Sequence, residues 1–71
     1  MSYDFCEFRM VAMKFMSIAA ILSETELIDR FKIVNELYKS LVDPTTVHSA
    51  RGLMQLCEEV YYFALLEKSP K

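Results

Sequence analysis

Leu22-Ser23-Glu24-Thr25-Glu26-Leu27 is the stretch that decides the architecture. At a helix N-terminus a serine hydroxyl accepts the backbone N–H three residues on. A glutamate at that third position reaches back to the serine N–H. Ser23 and Glu26 stand at this spacing, and an apolar pattern begins at once with Leu27. Leu22, just ahead of the cap, is where a hydrophobic staple residue belongs. A helix therefore starts here, and the residues before it form a separate element.

A second boundary lies downstream at Asp43-Pro44-Thr45-Thr46. Proline disfavours helical backbone at the residue before it, which predicts a helix end near Val42. Pro44 also suits a first helical turn, with Asp43 as N-cap and Thr46 as the alternative cap. The two marks divide the chain into helices over about 4–22, 24–42 and 44–68. The tail Ser69-Pro70-Lys71 is expected to fray. With one glycine and two prolines in 71 residues, loops, β-turns and disorder are all disfavoured. The length allows one domain, residues 1–71, which buries roughly 60% of its unfolded surface. The fold class is all-α: a three-helix antiparallel bundle or hairpin-type domain with very short connections.

The three helices differ in how much apolar surface they carry. In the second, Leu27, Phe31, Val34, Tyr38 and Leu41 recur at helical spacing, with Ile28 and Leu37 beside them and Ile33 off the stripe. Glu26, Asp29, Arg30, Lys32, Asn35, Glu36 and Lys39 form its wet side. In the first, Phe5, Phe8, Ala12, Phe15, Met16 and Ala19 make one stripe, and Cys6, Met10, Met13, Ala20 and Ile21 lie on the opposite flank. In the third, Val47, Ala50, Met54, Cys57, Tyr61 and Ala64 make one seam; Leu53, Leu56, Val60 and Phe63 make a second.

Three helices can each bury one face in a small core, yet two of these three carry a second face. Apolar residues reach 54% of the chain, against about 45–50% in ordinary globular proteins even with glycine counted. Each large side chain left in water forgoes about 1.5–3 kcal/mol. Completion of the bundle by homodimerisation is the simplest expectation. The expected oligomer interface is Phe8, Met10, Met13, Ala20, Ile21, Leu53, Leu56, Val60 and Phe63. Aromatic residues and arginine anchor most protein interfaces. A surface for a further protein partner is therefore expected at Tyr3, Phe5, Arg9, Tyr61, Tyr62 and Leu66.

Several chemistries find no footing. A nucleophile and base would have to come from Cys6, Cys57 and the lone His48. His48 and Cys57 lie about 13 Å apart along one helix, beyond hydrogen-bond reach. No metal-binding spacing of Cys, His or Glu occurs, so neither metal nor other cofactor is expected. The pairs Glu24/Glu26 and Glu58/Glu59 read as cap and wet surface. Gly52 cannot make a phosphate loop alone; inside a helix it suggests close approach of another helix or a local break. Both cysteines are expected as reduced thiols in the core. No apolar run reaches the roughly 20 residues of a membrane span, and Asp4 and Glu7 spoil a signal peptide. Cytoplasmic residence is the default.

The reading that results is a small helical protein–protein interaction module, not an enzyme and without an evident small-molecule substrate. It would be a homodimeric regulator, adaptor or inhibitor that modulates another macromolecule by binding it. The alternative is a helix-turn-helix-like DNA-binding regulator. Thr45, Thr46, His48, Ser49 and Arg51 would then face a groove, with Lys32 and Lys39 on phosphate. A net charge of −2 disfavours it.

Overall fold

The computed structural model describes residues 3–68 and is all-helical over that span. The tail Ser69-Pro70-Lys71 lies outside the described residues. Helix α1 runs Phe5–Ile18 and passes into a single 3-10 turn, Ala19–Ile21. Helix α2 is Glu24–Lys39 and α3 is Pro44–Lys68.

Each start has a cap made by the residue the chain places there. Asp4, extended at φ −91° and ψ 167°, accepts the Glu7 N–H at 2.8 Å. The Ser23 capping box forms in full: Glu26 N–H donates to Ser23 Oγ, and Glu26 Oε1 accepts from Ser23 N and Oγ. Asp43 Oδ1 accepts from Thr45 N at 2.8 Å and from Thr46 N at 3.4 Å. Asp43 is thus the N-cap of α3, Pro44 fills the first turn, and Thr46 donates to the cap.

Two ends come earlier than the sequence pattern suggests. Helix α1 yields to the 3-10 turn at Ala19, closed by Leu22 N to Ala19 O at 3.3 Å. Leu22 and Ser23 then turn extended to set the next cap. Helix α2 stops at Lys39, not Val42. The Ser40 hydroxyl donates to the Glu36 carbonyl at 3.0 Å, and its N–H is shared between the Glu36 and Leu37 carbonyls. Such local bonds compete with continued helix. Leaving the helix there lets Leu41 bury while Val42 stays exposed.

The arrangement is up–down–up. Phe8 meets Tyr38 and Phe15 meets Phe31, so α2 runs antiparallel to α1. Ala12 lies beside Cys57 and the Lys68 side chain reaches the Ala20 carbonyl, so α3 runs parallel to α1. At 25 residues α3 is about 37 Å long and nearly spans the 42 Å axis of the molecule, which is 20 × 16 Å across.

The core collects one stripe from each helix: Phe8, Ala12, Phe15 and Ala19; Leu27, Val34 and Leu37; Ala50, Met54, Cys57 and Ala64. Leu22, half-buried, packs on the same core as Leu27, as a staple pair should. Aromatic rings link the layers. Phe31 stacks on Tyr61 at 4.2 Å between centroids, Phe15 tilts against Phe31, and Tyr62 meets the edge of Tyr61.

Four expectations are corrected by this packing. Phe8 is not interface: it is fully buried, because it belongs to the same stripe as Ala12 and Phe15. Phe5 and Tyr61 are not open partner surface either. Phe5 leans on Phe8, and Tyr61 is spent stacking on Phe31. Cys6 is exposed and only Cys57 is a core thiol. Gly52 neither breaks α3 nor admits a neighbouring helix, since no heavy atom lies within 4 Å of where its Cβ would stand.

Candidate functional site

Most of the exposed apolar residues lie on α1, its 3-10 turn and α3, with Ile33 of α2 and Val42 apart from them. Two stripes stand out. On α1, Arg9, Met13, Met16 and Ala20 follow one another at spacings of four, three and four; on α3, Leu56, Val60, Phe63 and Glu67 do the same. This spacing keeps each set on one side of its helix. Met16 and Ala20 line one wall of an open groove of about 1060 Å³, and Val60, Phe63 and Glu67 line the other. The groove continues over the outer side of α3 past Glu58, Glu59, Tyr62 and Leu66.

Burial along these stripes is incomplete. Met16 and Val60 are half-buried against the core, whereas Met13 is 49% exposed, Leu56 50% and Phe63 72%. Met10 on α1, Ile21 in the 3-10 turn and Leu66 on α3 are also largely exposed. Of the residues expected at an oligomer interface, Met10, Met13, Ala20, Ile21, Leu56 and Phe63 are exposed, on α1 and its 3-10 turn or on α3. Leu53 and Val60 are half-buried flankers of the core, and Phe8 is inside it.

The residues expected at a partner surface scatter. Tyr62 and Leu66 lie exposed on α3 and line the groove. Arg9 is exposed at the head of the α1 stripe. Tyr3 lies elsewhere, beside a shallow depression formed with Lys32, Ile33, Glu36, Leu37 and Ser40 of α2. Of the residues a DNA groove would need, Thr45, His48, Ser49 and Arg51 are exposed and Thr46 is half-buried.

Polar features are few. At the foot of the two stripes Lys68 Nζ donates to the Ala20 carbonyl at 3.1 Å, tying the end of α3 to the 3-10 turn. A cation there also suits the negative end of α1. Cys57 Sγ lies 3.8 Å from the Ala12 carbonyl, and burial pushes its thiol up to about 11, with Glu58 adding to the shift. A thiol held neutral in this way is a packing group, not a nucleophile. Among the described residues no group of three or more His, Cys, Asp or Glu side chains could hold a metal ion. Among the described residues no helix is long and apolar enough to cross a membrane.

The sequence pattern missed Asp4 as a cap, although Asp4 and Glu7 stand at the right spacing for one. It also missed Lys68, whose role depends on the level at which α3 ends beside α1. Comparison of the chain with protein-family models, with curated proteins and with solved structures found no match.

Proposed function

We propose that this chain is a small helical protein-interaction module whose α1/α3 face docks on another polypeptide, and that it acts as a regulator, adaptor or inhibitor through that docking. The observation that supports this reading is the set of exposed apolar side chains on α1 and α3, with Phe63 and Leu66 lining an open groove beside Met16 and Val60. Exposed apolar surface gathered in this way marks association sites. Leucine, phenylalanine and methionine side chains can repack around a partner, and methionine does so most readily. The module binds and does no chemistry of its own.

The test is substitution on the face itself. Leu56→Ser with Phe63→Ser leaves the helical content and the unfolding midpoint of the isolated chain nearly unchanged, because both side chains are already half or more in water. The same pair abolishes association, read as loss of a higher-mass species in sedimentation and loss of binding to whatever chain co-purifies. Association that survives the double variant would sink the proposal.

A further inference from the structure

We draw no further inference here: the strongest candidate, the open groove between α1 and α3 that Met16, Val60, Phe63 and Leu66 line, belongs to the face already described, and nothing in the structure shows what covers it.

Discussion

Helix α2 and the α1/α3 face are built from the same residue types, yet they solve opposite problems. Helix α2 buries Leu27, Val34 and Leu37 and turns Glu24, Asp29, Arg30, Lys32 and Glu36 to water. Of its large apolar residues Ile33 alone is left exposed, at 47%. Helices α1 and α3 bury a stripe each and then present a second one, with Met13, Leu56 and Phe63 exposed. The difference shows that a helix needs only one apolar side to join a three-helix core. A second apolar side is surplus to folding and has to be explained by something outside the fold.

The contrast can be tested by variants that touch the inner side only, or the outer side only. Phe8→Ala should have the largest effect, a loss of about 3–5 kcal/mol in urea unfolding, since the ring is fully buried between α1 and α2. For a chain this small that approaches total stability. A small effect would mean that the inner stripe is misassigned.

Alkaline titration comes next. Cys57 is held neutral when folded, with its thiol raised from 9.0 to about 11, so the folded state keeps a proton that the unfolded state loses. Stability is therefore undiminished below pH 9.0 and falls as pH rises from there through about 11, by an amount on the order of 2 kcal/mol. Cys57→Ala should remove this alkaline slope, measured by thermal unfolding across that pH range. Cys6, exposed, should react at once with a thiol reagent in the native state, while Cys57 waits for unfolding.

Ser23→Ala should cost about 1 kcal/mol by opening the capping box, with most of the loss regained by Ser23→Asp. Gly52→Ala should raise the stability of the isolated chain by about 0.5–1 kcal/mol, since the position is helical and its Cβ would meet nothing. Smallest of all, Phe63→Ser should shift the unfolding of the isolated chain by no more than about 0.5 kcal/mol despite losing an aromatic ring. Phe8 and Phe63 thus bracket the comparison: the same side chain, decisive inside and nearly neutral outside.

Most of the fold was legible because it is written in local signals. Ser23 with Glu26, and Asp43 with Pro44, each act within one helical turn, so spacing alone finds them. The inner stripes of all three helices follow from the 3.6-residue period, and they include every member of the observed core. The errors lie where two helices must be aligned with each other. Tyr61 reads as surface or core depending on whether Phe31 stands level with it. Phe8 reads as inner or outer depending on which side of an almost wholly apolar helix faces α2. The early stop of α2 was hidden for another reason. Ser40 competes for the Glu36 carbonyl only once Leu41 has a core to enter, so the sequence pattern runs on to Val42.

The row of rings from Phe15 through Phe31 and Tyr61 to Tyr62 reaches from the interior to the open surface of α3. The chain has no tryptophan, so these tyrosines dominate its ultraviolet signal. Their near-ultraviolet dichroism is therefore a label-free gauge of how α2 and α3 are aligned. Tyr62, at the wet end of the row, is the ring whose emission registers the arrival of a visitor.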